Sequence, residues 1–523
     1  MTSKQLLYVA VFISGMTTLA IELSASRLLG SVFGTSNLVW ANVIGLMLLY
    51  LTIGYFIGGR WADRSPHFRT LYRLMIWAAF LSALVPLVSR PILQIAARAV
   101  IGVEAGLALG SFISVLVLFS VPVTLLGCIS PFAIRLAVES PQESGRISGQ
   151  IYAISTLGSL LGTFLPTLIL IPEIGTTLTF LTFSGILFII AFIGLWTQNG
   201  LKTIFWLWMP ILIIILAIIV LNGVLRQPQT GSVVLYDDES AYNYIQVIQD
   251  ERGYINLYLN EGQGVHSRYH PDLYDFGGTW DYFLVAPYFN PPPYTVNDVD
   301  SLLVIGLAAG TIPRQYQRVY GDIHMDGVEI DPDIIHVGAL FFDMNAQNMP
   351  SLTAYAQDGR YILNQLTHSY DVIAIDAYRP PYIPWHLATV EFFQEVQQHL
   401  SENGVVAINV GRTSTDRRLV DAMANTMMRV FPSVHAIDVP RSFNTILIGT
   451  QMMTTSDNLA QNLSIMPQTT PDLLLRVMQS SLQNLVAIGS SDVIFTDERA
   501  PIETLVDSLV INFLLYGDTD LIR

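Results

Sequence analysis

The hydrophobic pattern of the chain changes once along its length. Up to about residue 222 the apolar residues run in stretches near 20 long, at about 6–29, 38–59, 70–89, 107–130, 150–171, 177–196 and 203–222. A helix of about 20 apolar residues crosses a hydrocarbon core of about 30 Å, so the pattern predicts seven membrane spans. The first is too long for a secretion signal, lacks a small-residue cleavage site and is followed by further spans. Residues 91–104 are too few to cross and predict an interfacial helix. Beyond residue 232 the apolar runs shorten to strand length.

Residues 233–261 alternate as half-buried strands do, and Glu251-Arg252-Gly253 between two alternating runs reads as a hairpin turn. Ser301-Leu-Leu-Val-Ile305 is a continuous apolar run suited to a buried parallel strand, with a helix expected from near Ile312. Further strands are expected at Ile323–Val328, before Ala356, at Tyr370–Ile375 and at Gly404–Asn409, with helices between them. Strands alternating with helices predict a doubly wound, Rossmann-like α/β sheet. The expected organisation is a multi-pass transmembrane domain over 1–225, a linker at 226–232, a small β domain over 233–295, an α/β domain over 296–450 and a helical extension over 451–523.

Composition sharpens the division. Hydrophobic residues make up 52% of the 523 and charged residues 13%, about half the charged share of a soluble domain. Residues 1–230 hold 12 basic and six acidic side chains, whereas residues 231–523 hold 14 and 35. A net charge of −15 argues against a nucleic-acid partner, and a single cysteine, Cys128, leaves no disulfide framework or cysteine zinc site. The positive-inside rule places the N-terminus inside, since Lys4, Arg60, Arg64, Arg69, Arg73, Arg135, Arg146 and Lys202 would then share that side. Seven spans would put the acidic half outside. Glu22 and Arg27, in or near the first span, are candidates for an intramembrane pair or for simple packing.

In a doubly wound sheet, ligands sit at the carboxyl ends of the strands. Gly306 and Gly310 follow the first such strand and would let backbone approach a ligand. Glu329 closes the second, about 20 residues on, where a carboxylate takes ribose hydroxyls. Asp358 closes the third, near where a purine amino group would lie, and Asp376 closes the fourth, facing the reacting centre. The alternative is that these carboxylates only cap helices.

Over about residues 233–450 the chain resembles spermidine synthases, aminopropyltransferases built on the class I methyltransferase sheet with an N-terminal β-hairpin domain. As a whole it resembles bacterial proteins that carry such a domain behind a membrane segment. Leu303–Gly310 stands for the family's glycine motif, Val328-Glu-Ile-Asp-Pro332 for its ribose motif, Asp358-Gly359 for its adenine-side motif and Asp376-Ala-Tyr-Arg-Pro380 for its catalytic loop. The resemblance implies Gly306, Gly310, Glu329, Asp331, Asp358 and Gly359 as nucleoside ligands, and Asp376 as the catalytic residue. It implies decarboxylated S-adenosylmethionine, or S-adenosylmethionine itself, as co-substrate, a small amine as acceptor, and no metal. That donor is made inside the cell, which argues for a cytoplasmic soluble half, against the charge count.

The amine side departs from the family. Its acid in the glycine motif is Ala309 here, the second aspartate of its catalytic loop is Arg379, and its Tyr-His-Glu motif reads Thr279-Trp280-Asp281. The family's early glutamine aligns with Gln263 or His266. The acceptor set is therefore Gln263, Asp281, Tyr378 and Arg379, with an arginine that would repel a diammonium. The readings left open are an aminopropyltransferase with a diverged acceptor, a nucleoside-binding or scaffolding subunit of a membrane complex, and a methyltransferase. The lipid bilayer is an expected partner, a homo-oligomer or a membrane complex is a candidate one, and the oligomeric state and a transport role stay open. His266 and His270 read as a surface loop. Tyr254, Tyr258, Tyr269, Tyr274 and Trp280 could line an amine pocket or pack the β domain. Asp497, Glu498 and Glu503, near the end of the chain, read as a helix N-terminal charge cluster without a part in the chemistry.

Overall fold

The computed structural model describes residues 3–33, 37–99, 106–221, 231–260, 264–377, 383–413 and 416–506. The chain divides into two compact units, one formed chiefly by residues up to Gln227 and the other chiefly by Ile245 onward.

The first unit is helical: α1 (Ser3–Phe33), α2 (Asn37–Arg64), α3 (Phe68–Ala99), α4 (Gly106–Ala137), α5 (Ser144–Leu165), α6 (Ile171–Asn199) and α7 (Trp208–Leu221). Among the described residues five helical stretches are long and apolar enough to cross a membrane, the last being the succession Pro141–Val220. Within that succession Gly175, at φ +75°, breaks the helix between two expected spans, and a 3-10 segment at Gly200–Leu207 separates the third. The expected interfacial helix differs: α3 runs on through Pro86 and Pro91 to Ala99, and residues 100–105 lie outside the described ones. Small residues bring α1 and α5 together, since a methyl on Gly158 or Gly162 would sit 2.0 Å from the Phe12 or Met16 carbonyl oxygen.

The second unit opens with a four-stranded sheet, β1 (Val233–Glu239), β2 (Tyr244–Gln249), β3 (Ile255–Leu259) and β4 (Val265–Tyr269), in sequential order. Asp250 and Tyr254 close the expected hairpin between β2 and β3, where the Gly253 N–H donates to the Asp250 carbonyl. His266 lies on β4 rather than in a loop.

The main sheet has eight strands in the order β12-β10-β11-β9-β8-β5-β6-β7. Its parallel part is β5 (Ser301–Ile305), β6 (His324–Glu329), β7 (Leu352–Ala356), β8 (Tyr370–Ile375) and β9 (Leu400–Gly411). Helices α8 (Thr311–Tyr320), α9 (Pro332–Phe341), α10 (Gly359–Leu363), α11 (Val390–Gln398) and α12 (Arg418–Met427) connect or follow these strands. Then come β10 (Ser433–Asp438) and β11 (Asn444–Thr450), paired antiparallel, then α13 (Asp457–Ile465), α14 (Asp472–Gln483) and β12 (Leu485–Val486). Leu459 of α13 and Leu474 and Met478 of α14 enter the same core as Leu302 and Val304 of β5.

Side chains alternate across a strand, and this sorts the sheet into two faces. Leu302, Val304, Val372, Ala374, Val405 and Ala407 enter one core, with the 3-10 segment Thr279–Phe289. Leu303, Ile305, Ile373, Ile375, Val406 and Ile408 enter the other, with α11 and α12. A fully buried Leu, Ile or Val contributes about 1.5–3 kcal/mol, and β5, buried throughout, fixes the loop that follows it.

Candidate active site

The loop after β5 is shaped by its glycines. Gly306 takes φ +89°, and a Cβ there would lie 2.5 Å from the Ala377 nitrogen. Only glycine lets this loop touch the backbone of the loop after β8. The Gly306 and Leu307 N–H groups both donate to the Val328 carbonyl at 2.9 Å, which ties the loop to the end of β6. Gly310, at φ +84°, turns the chain into α8. Ala309, where the family's acid was expected, packs with Leu257, Ile334 and Val337 in an apolar cluster, and its N–H donates to Ser267 Oγ. A carboxylate at 309 would be closed in by hydrocarbon, at a cost of several kcal/mol.

Glu329 ends β6 with its carboxylate against the glycine loop. Its Oε2 accepts from the Ala308 N–H at 2.9 Å and its Oε1 from the Asp331 N–H. Burial pushes its pKa up to about 7, against the pull of those N–H groups. Asp331 is wholly buried and caps α9, Oδ1 accepting from the Asp333 N–H. Asp331 therefore shapes the loop from behind, as a cap. Asp358 caps α10 through the Tyr361 N–H, and its Oδ2 meets His386 Nε2 at 2.8 Å. Its side chain stays one third exposed, so capping leaves lone pairs for a ligand. A Cβ on Gly359 would lie 2.4 Å from Ile305 Cγ2, which presses this loop against β5.

Asp376 follows β8, its N–H donating to the Ile305 carbonyl at 2.8 Å. Alternation puts it on the face of Val372 and Ala374. Asn409, on the same face near the end of β9, donates from Nδ2 to Asp376 Oδ1 at 2.9 Å. Burial raises the Asp376 pKa to about 7, and the amide bond only partly opposes it. Asn409 Oδ1 is buried with no partner among the described residues. Two acceptor atoms thus sit together at the end of the strand pair, and both can take N–H donors. Neither Asn409 nor His386 was singled out from the sequence, although Asn409 could have been: it ends the apolar run of the fifth strand, where the strand-end rule looks for ligands.

Asp281 sits differently from a pocket-lining acid. It is 2% exposed, and its oxygens accept from Gln315 Nε2 of α8 and from the Gly277 N–H. Burial pushes its pKa up. Thr279, two residues before it, accepts from Asn444 Nδ2 at the start of β11. Of the aromatic candidates, Tyr269 and Tyr274 hold the Arg314 guanidinium between their rings at 4.3 and 4.4 Å, and Tyr254 packs against His270 and Phe276. Gln263, Tyr378 and Arg379 lie outside the described residues. Asp497 precedes the final described helix and is occupied by Arg360 at 2.8 Å, an ion pair rather than a helix-end charge.

Residues 293–459 match the spermine/spermidine synthase domain. The probable polyamine aminopropyl transferase of Bifidobacterium longum is 31% identical over 285 residues, 52% of this chain and 61% of that protein. The chain thus spans less than two thirds of that relative. The polyamine aminopropyltransferase of Vibrio vulnificus is 29% identical over 236 residues, 43% of this chain and 74% of that protein. A spermidine synthase solved with the transition-state analogue AdoDATO aligns with a TM-score of 0.37 at 17% identity, covering 48% of this chain and 83% of its own. The glycine loop, Glu329 and Asp376 fall within the matched domain, and the protein is spermidine synthase-like in its C-terminal half.

Proposed function

We propose that the protein is a membrane-anchored aminopropyltransferase that uses decarboxylated S-adenosylmethionine and an amine other than a simple diamine. The observation that carries this reading is the pair formed by Asp376 and the unpartnered Asn409 Oδ1, two acceptors that an amine's N–H groups would satisfy. Glu329 would take the ribose hydroxyls, and Asp358 with His386 the adenine edge. The N–C bond forms as the C–S bond breaks, the sulfonium electrons stay on methylthioadenosine, and the acceptor's proton passes to Asp376. An amine with a pKa of about 10.4 gives its proton to a base near 7 at a cost of about 5 kcal/mol, which desolvation of the ammonium reduces.

Anchoring is supported by the five apolar helical stretches. The diverged acceptor is supported by Arg379, where the resemblance expects a carboxylate, and by Asp281 being closed inside protein hydrogen bonds. The test is methylthioadenosine release by the full chain in detergent, given the donor and a panel of monoamines, diamines and amino acids. Release that needs Asp376 supports the reading. Donor binding without release for any amine would instead favour the nucleoside-binding scaffold.

A further inference from the structure

We infer that the turn Thr496–Arg499 is a positioning element of the nucleoside site, and that Asp497, acting through Arg360, holds Asp358 and His386 where an adenine amino group is read. This rests on the nucleoside role given above to Asp358. Arg360 follows the Asp358-Gly359 pair directly, and its side chain is 17% exposed. All five guanidinium N–H groups have a partner. Nε and one Nη2 hydrogen donate to the two Glu395 oxygens at 2.8 and 2.6 Å. The other Nη2 hydrogen and one on Nη1 donate to the two Asp497 oxygens at 2.9 and 2.8 Å. The last Nη1 hydrogen reaches the His386 carbonyl at 3.2 Å.

A ring of contacts results. It runs from Asp358 along the chain to Arg360, across to the His386 carbonyl, and back through the His386 imidazole to Asp358 at 2.8 Å. Glu395 occupies one edge of the guanidinium and leaves the other to Asp497, so a planar fork with two bidentate partners has a single orientation.

Asp497 is itself fixed. Its Oδ1 accepts from Thr389 Oγ1 at 2.7 Å, and its N–H donates to Glu391. Phe495 is buried in the second core, its N–H on Thr426 Oγ1 and its carbonyl on the Val390 N–H. Thr496 and Arg499 exchange backbone hydrogen bonds across the turn. The Arg360 bonds hold the Asp497 carboxyl below its ordinary range, so it stays ionised wherever the protein is folded near neutrality. A segment more than 130 residues from Asp358 in sequence thereby supports the wall beside it.

The test is calorimetry on the full chain in detergent, with methylthioadenosine and its 6-oxo analogue methylthioinosine as probes. One hydrogen bond to a charged acceptor discriminates by about tenfold or more, so the wild type should prefer the adenine compound by that factor. Asp497→Asn keeps the shape but loses the charge, and should reduce the preference to about threefold or less. Thr389→Val, which removes one bond to Asp497, should fall between. Glu329→Ala should weaken both probes alike, as would a general loss of stability, so the ratio reports the adenine wall alone. Asp497→Asn and Thr389→Val proteins that keep the wild-type ratio would overturn the inference. A wild type that binds neither probe, or both equally, would overturn the nucleoside role of Asp358 itself.

Discussion

Replacing Asp376 by asparagine should stabilise the folded protein at neutral pH while removing its activity. In the unfolded chain an aspartate ionises near 3.8, whereas in the folded protein burial moves Asp376 to about 7. Between those values the folded state holds a proton that the unfolded state has lost. Stability from this group is therefore fully present below about pH 4 and drains away as pH rises to 7. About three units at 1.36 kcal/mol each give about 4 kcal/mol, of which about 2 falls between pH 5 and 7. Asparagine carries no such term and can keep a hydrogen bond to Asn409, which sits at 2.9 Å in the wild type. Thermal melts of both proteins in detergent from pH 5 to 8 should show the variant gaining on the wild type up to pH 7 and then holding its lead. At about 2–4 °C per kcal/mol for a domain of this size, the gain is roughly 4–8 °C. Methylthioadenosine release should fall at least a hundredfold. A melting difference that does not change with pH would refute the half-buried, proton-holding Asp376.

Glu329 is held near 7 for the same reason, and ribose hydroxyls favour its ionised form. Methylthioadenosine should bind more tightly at pH 8 than at pH 6, and calorimetry should show that dependence vanish in Glu329→Ala. Asn409→Asp would set a second carboxylate beside Asp376 and raise its pKa further, so the rise of rate with pH should move at least one unit alkaline in a steady-state profile. Putrescine should be a poor acceptor beside a monoamine or one bearing its own carboxylate, since one misplaced charge at 4 Å is worth about 4 kcal/mol at an effective dielectric near 20; efficient putrescine turnover would contradict the weight given to Arg379. A reporter fused to the C-terminus should be active on the cytoplasmic side, where the donor is made, and activity only outside would favour the scaffold reading.

The sheet was legible because its evidence is local. Leu302–Ile305 and Val372–Ile375 are continuous apolar runs, and each is followed by the residue the strand-end rule asks for. Glu329, Asp358 and Asp376 could be placed from that alone. What stayed hidden depends on which side chains meet across the fold. Ala309 reads in the sequence as a lost acceptor charge, yet it belongs to the packing between the glycine loop and the β domain. Asp497 reads as the start of a helix, because its partner Arg360 is 137 positions away. His386 lies in a single 3-10 turn, Trp385–Leu387, too short for a periodicity to mark it. The expected interfacial helix was inferred from the short length of 91–104, whose first part α3 in fact absorbs as its own end.

The contact of Gly306 with the Asp376–Ala377 backbone bears on how such a protein can change over evolutionary time. The loop that would carry the donor and the loop that would carry the base touch through main chain, so neither can shift without moving the other. Drift in acceptor preference must then be confined to side chains that leave this junction alone, such as the position of Arg379 two residues beyond it. Directed evolution toward a new amine should recover its substitutions there and at Asn409, and should leave Gly306 unchanged.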